Sequence, residues 1–254
     1  MRIKVINPNT TASMTRKIGM AAEAVTAPGT EIIAVNPRKG PVSIEGHYDE
    51  AVSVVGLLEE IHAGETEGID AYVIACFGDP GLLAAREIAK GPVLGIAEAA
   101  MHAASMITTG FSIVTTLERT RIIAEHLVEA YGMGRFCRRV RATDIAVLDL
   151  EDEGSGARRA VLEQCRRALA EDGSGAIVLG CAGMADLPAA LARELGAPVI
   201  DGVVAAVRFA EALVALGLGT SKHGDLAYPF VKAYAGNLDY LAPRSPDVKR
   251  LPSK

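Results

Sequence analysis

The chain of 254 residues has no tryptophan, and six tyrosines and five phenylalanines are its whole aromatic content. A core so poor in rings must be packed from aliphatic side chains. With 26 glycines, this is the profile of an α/β protein whose buried parallel strands are rich in Val, Ile and Leu. Cysteine is scarce too: Cys76, Cys137, Cys165 and Cys181 share no CxxC or Cys/His spacing. That pattern excludes the usual zinc frameworks and gives no sign of a disulfide scaffold. There is no basic block and the net charge is -5, so nucleic acid is not an expected partner. No apolar run approaches the roughly 18 residues of a membrane span, so no membrane partner is expected. The first residues, "MRIKVINPNT", read as a strand and a turn rather than a leader, and the expected setting is cytoplasmic.

What is present is alternation. Short apolar runs at 3–6, 31–35, 71–75, 92–96, 111–115, 137–143, 176–180 and 198–200 predict strands. Between and after them, periodic segments at 11–25, 48–61, 81–89, 98–106, 119–131, 157–171, 187–195 and 202–216 predict helices. Strands alternating with helices imply βαβ units and parallel sheets. The second cycle also echoes the first. "AYVIACFGDPGL" (71–82) aligns with "AIVLGCAGMADL" (176–187) at an offset of 181 − 76 = 105. "PVLGIAEAA" (92–100) aligns with "PVIDGVVAA" (198–206) at 198 − 92 = 106, and "IKVINPNT" (3–10) with "FSIVTTLE" (111–118) at 111 − 3 = 108. Three matches at nearly one offset predict two homologous halves. The expected fold is α/β: two pseudo-symmetric three-layer lobes with mainly parallel sheets and an active site in the cleft between them. Residues 1–97 plus 205–235 are expected to form the first lobe, 98–204 the second, and 236–254 a C-terminal tail.

Ligands of parallel α/β sheets bind beyond the carboxyl ends of the strands. Cys76 and Cys181 each end a strand there, just before a turn into a helix, a place expected to favour the thiolate through helix dipole and backbone N–H groups. Cysteine alone is as often a small buried hydrophobe. Two equivalent ones facing a single cleft suit a specific reaction: one thiolate removes a proton from carbon and the opposite thiol returns one to the other face. Such chemistry requires no cofactor when an adjacent carbonyl delocalises the carbanion. The turn residues Phe77, Gly78, Ala182 and Gly183 offer amides for the developing oxyanion. Asn7, Asn9 and Thr10 in "NPNT", with Thr115 and Thr116 as their counterparts, are candidates for substrate binding, although Asn9 or Thr10 equally suits a helix N-cap. The segment "GPVSIEGHYDE" (40–50) is expected to cover the site, with Ser43 and His47 as candidates there. His102, His126, Cys137 and Cys165 are read as structural.

The strings "INPNT", "VSIEG", "ACFGDPGL", "FSIVTTL", "IVLGCAGM" and "PVIDGV" resemble the hydantoin/allantoin racemase branch of the Asp/Glu racemase superfamily, from residue 2 to about 230. The later "ALGLGTSKHGDLAYP" looks closer to allantoin racemases. The resemblance implies two α/β halves, each giving one cysteine, here Cys76 and Cys181, to cofactor-independent racemisation at C5 of a ureide ring. It also implies a small-molecule ureide substrate, purine degradation as the setting, and a homo-oligomer. Two other readings stand beside it. One is a different enzyme of the superfamily, such as an amino-acid racemase, maleate isomerase or malonate decarboxylase. The other is a non-catalytic two-lobed small-molecule-binding protein.

Overall fold

The computed structural model describes residues 1–243. The strands are β1 (Arg2–Ile6), β2 (Glu31–Val35), β3 (Ala71–Ile74), β4 (Val93–Gly95), β5 (Phe111–Thr115), β6 (Cys137–Ala142), β7 (Ala176–Leu179) and β8 (Val199–Ile200). The helices are α1 (Ala12–Glu23), α2 (His47–Glu67), α3 (Leu82–Ile88), α4 (Ile96–Ile107), α5 (Glu118–Ala130), α6 (Ala157–Glu171), α7 (Pro188–Leu195) and α8 (Gly202–Ala215). Every expected strand and helix forms. The largest boundary difference is α2, which continues past the expected 61 and stops where Gly68 takes up φ +74° and closes the last turn.

All strand pairs are parallel, in two four-stranded sheets of order β2-β1-β3-β4 and β6-β5-β7-β8. Renumbered within its own half, the second order is the first, as the repeat predicts. Successive side chains of a strand face opposite ways, and both sheets sort them alike. In β3, Ala71 and Val73 join a core between the two sheets, whereas Tyr72 and Ile74 join one beneath α2 and α3. In β7, Ala176 and Val178 join the same inner core, and Ile177 and Leu179 pack outward among residues of α6 and α7. The inner core is continuous through both halves, running from Val5 and Val73 to Ile113 and Val178.

Each half sends its last helix across. α4 follows β4 yet packs against β7, β8 and α5, and α8 follows β8 yet packs on β3 and β4. The two helices pack extensively on each other. At their N-termini a side chain at Gly202 would collide with the backbone carbonyl of Ile96, so the approach needs glycine. Near the C-terminus, Gly236–Leu241, within the expected tail, forms a 3-10 turn whose Tyr240 hydroxyl donates to Glu59. The rest of the expected tail, 244–254, lies outside the described residues. Among the described residues, no helix is long and apolar enough to cross a membrane.

Candidate active site

A cleft lies beyond the carboxyl ends of the two sheets. The first lobe lines it with Asn9, Ile44, Gly46, Glu50, Cys76, Phe77 and Gly78. The second lobe adds Thr115, Thr116, Thr120, Gly180, Cys181 and Ala182, and Met14, Ala75, Ile123 and Val147 complete the wall. Thus Cys76 and Cys181 meet in one cavity, one from each half, each presented by the residue that follows a short buried strand. No Lys or Arg is among the lining residues. Among the described residues, no group of three or more His, Cys, Asp or Glu is placed to hold a metal ion.

The expectation of a depressed thiol pKa is overturned. Burial pushes the Cys181 thiol up to about 11 and the Cys76 thiol higher still. The Gly78 and Gly183 amides oppose this, the latter donating to Cys181 Sγ at 3.4 Å. The helix dipole is not near enough to help, since it fades within a turn of the helix end. α3 starts at Leu82, 82 − 76 = 6 residues beyond Cys76, and α7 at Pro188, 188 − 181 = 7 beyond Cys181. The lobes also differ in charge. Next to burial and the Gly183 amide, Lys17 lowers the Cys181 pKa while Asp201 and Glu151 raise it, whereas Glu50, Cys181 and Asp79 all raise that of Cys76. Lys17 Nζ donates to Leu150 O at 3.3 Å and pairs with Glu151 at 2.9 Å, tying α1 to the second lobe.

Several candidate residues stand behind the wall rather than in it. Asn7 is buried and donates from Nδ2 to Asn9 Oδ1 at 2.8 Å and Thr15 Oγ1 at 3.0 Å, so it orients Asn9. Asn9 Oδ1 in turn accepts from the Thr11 amide at 2.9 Å, and the N-cap of α1 is Thr11, not Asn9 or Thr10. Thr10 accepts nothing from the cleft; its amide and hydroxyl bond the Pro41 carbonyl at 2.9 and 3.3 Å. With Thr11 Oγ1 on Val42 O, this pins the 41–46 segment over the site. Ser43 is not among the residues that line the cavity; its neighbour Ile44 is. Gly183 is not a lining residue either, and its amide serves the Cys181 sulfur. His47 stays exposed, 3.6 Å from Glu50. On the far wall, Thr115 Oγ1 donates to Gly180 O at 3.1 Å and contacts Thr120 Oγ1 at 3.2 Å.

Asp79, in the turn after Cys76, accepts from the Ala97 and Glu98 amides at 3.0 and 2.9 Å and from Tyr131 Oη at 2.8 Å. It caps α4 from a distance, and a side chain at Gly95 would collide with it. Asp201 caps α8 directly, accepting from Val204 N at 2.8 Å. Burial pushes both carboxyls up to about 6 against these amides.

The family model described as Asp/Glu/Hydantoin racemase matches residues 3–210. A hydantoin racemase of Rhizobium meliloti is 54% identical over 237 residues, 93% of this chain and 98% of that one. The structure of an allantoin racemase from Klebsiella pneumoniae superposes with a TM-score of 0.94 at 63% identity, covering 96% of this chain and all of that one (100%). The allantoin racemase structure from Pseudomonas fluorescens gives 0.90 at 40% identity over 93% of this chain and 100% of its own.

Proposed function

The chain belongs to the Asp/Glu/hydantoin racemase family and is a racemase, and on that footing we propose that it interconverts the enantiomers of allantoin or a related 5-substituted hydantoin. Cys76 and Cys181 are the proposed acid–base pair. The observation that carries this reading is one thiol from each lobe in a single cleft whose other ionisable lining group, among the described residues, is Glu50. A hydantoin is neutral and offers carbonyls and N–H groups, which suits threonine hydroxyls and backbone amides. An amino-acid racemase must instead hold a carboxylate, and among the described residues no Lys or Arg lines this cavity.

In the proposed cycle one thiolate takes the C5 proton and becomes a thiol. The electron pair passes into the adjacent ring carbonyl as an enolate, and the opposite thiol then protonates C5 on its other face and becomes the thiolate. The charge stays constant, the configuration inverts, and no cofactor takes part. Gly78 and Gly183 amides attend the sulfurs, which leaves those of Phe77 and Ala182 for the enolate oxygen. Burial holds both thiols protonated at neutral pH, and a thiolate forms as pH rises. The free enzyme's kcat/KM is therefore expected to climb with pH toward the Cys181 pKa of about 11.

The test is incubation of single enantiomers of allantoin, 5-methylhydantoin and aspartate in D2O, following optical rotation and deuterium at the stereogenic carbon. Exchange and loss of rotation are expected with the ureides and not with aspartate. No exchange with any ureide overturns the reading.

A further inference from the structure

Glu50 lines the cleft, yet the proton relay has no use for it. α2 presents it from its first turn, beneath the 41–46 segment, with its side chain 17% exposed. Its carboxylate lies against the Cys76 turn so closely that a methyl group on Gly78 would collide with Oε1. A carboxylate has about four acceptor sites. Here the donor at hand among the described residues is His47 Nδ1, 3.6 Å away on a ring mostly in solvent. Burial raises the Glu50 pKa, the sign of a carboxylate short of partners, while His47 lowers it. Acceptor capacity is thus unspent and faces the cavity, where it calls for N–H donors on the ligand.

We propose that Glu50 is a specificity-determining residue that accepts N–H hydrogen bonds from a ureido group on C5 of the bound hydantoin. This rests on the racemase reading above and narrows its substrate class. The substituent is a better partner than the ring for a Coulombic reason. The ring gains negative charge in the enolate, and a carboxylate bonded to it would repel that charge as the barrier is climbed. A ureido group carries three N–H hydrogens, remains neutral throughout, and stands outside the delocalised system. A substituent ending in a carboxylate would be repelled, and an alkyl substituent would leave the carboxylate desolvated and unpaired.

The experiment compares allantoin with 5-isobutylhydantoin, whose substituent replaces the four heavy atoms of the ureido group with carbons. Wild-type protein is expected to favour allantoin in kcat/KM, chiefly through KM. Glu50→Leu should lower the ratio of the two kcat/KM values by about 10- to 100-fold, the worth of hydrogen bonds to a charged group. Glu50→Gln, which keeps one carbonyl acceptor, should fall between. A wild-type ratio at or below one overturns the proposal without any variant. So does a ratio that moves by less than about twofold in both variants. If neither hydantoin exchanges its C5 proton with wild-type protein, the racemase reading is what has failed, which is a different result.

Discussion

The two lobes place a carboxylate at the same point of the fold from different points of the chain. In the first, Asp79 stands three residues after Cys76 and reaches the opening amides of α4, while position 95 is glycine and leaves room for it. In the second, the residue three after Cys181 is Met184, fully buried and apolar, and the carboxylate comes from Asp201, the aligned counterpart of Gly95. The repeat retains a charge position and lets the residue move. It follows that the α4 and α8 N-termini, which each half aims toward the cleft, are already satisfied by protein carboxylates. Oxyanion stabilisation falls to the turns after the cysteines. The lobes differ again at the sulfurs, where Cys181 has Lys17 nearby and Cys76 has Glu50.

The largest expected effect tests the equivalence of the lobes. Cys76→Ser and Cys181→Ser should each lower racemisation by about 10²- to 10⁴-fold, the range for loss of one acid–base group. In D2O each variant should exchange C5–H of only one enantiomer, opposite for the two; undiminished racemisation by either would end the two-base scheme. Next comes the exchange of carboxylates. Asp79→Gly removes the acceptor of three hydrogen bonds and should cost roughly 3 kcal/mol in urea unfolding, against about 1–2 kcal/mol for Asp201→Ala. Asp79→Gly combined with Gly95→Asp copies the second lobe into the first and should recover much of the loss. A double variant no more stable than Asp79→Gly would show that the two carboxylates are not interchangeable.

A smaller asymmetry is expected at the aligned glycines. Gly78→Ala must push Glu50 aside and should lower the preference for allantoin over 5-isobutylhydantoin by about tenfold. At Gly183 the new methyl meets Leu150 Cδ1 at 3.1 Å and Cys181 Sγ at 3.5 Å, so Gly183→Ala should leave that ratio nearly unchanged. The smallest contrast is in thiol labelling. Iodoacetamide should modify Cys181 ahead of Cys76 by roughly three- to tenfold, since the gain in thiolate is partly offset by weaker nucleophilicity. Both rates should rise with pH, because each thiol is protonated below its raised pKa, and Lys17→Met should narrow the gap. Equal rates in the wild-type protein would mean that the charges beside the sulfurs do not distinguish them.

Much of this arrangement is legible in the residues. Short apolar runs alternating with helical segments, and a repeat at offsets of 105 to 108, point to two parallel sheets, and the repeat singles out Cys76 and Cys181 from four cysteines. What is not legible depends on distance through space. Glu50 and Thr120 are ordinary helix residues in the sequence, and Val147 arrives from a crossover turn. Nothing local marks Asp79 as a cap for a helix that starts 96 − 79 = 17 residues later. Ser43 and His47 are the candidates of their loop, but Ile44 is the residue that lines the cavity and His47 stays exposed. The thiol pKa values could not be read from strand-end position, because burial outweighs the amides and α3 and α7 begin too far along.

The crossing of α4 and α8 has a consequence for any division of the chain. Severed near residue 109, the first piece would lack α8, which packs on β3 and β4, and the second would lack α4, which packs on β7 and β8. Each would expose an apolar sheet face and a thiol with no opposite. A single half-length chain of this design could close its core only by exchanging its last helix with a second copy, as a two-fold symmetric, swapped dimer. The 254-residue chain holds that dimer in one covalent piece. Joining the copies lets equivalent positions diverge, so that the third residue after one cysteine is Asp79 and after the other Met184.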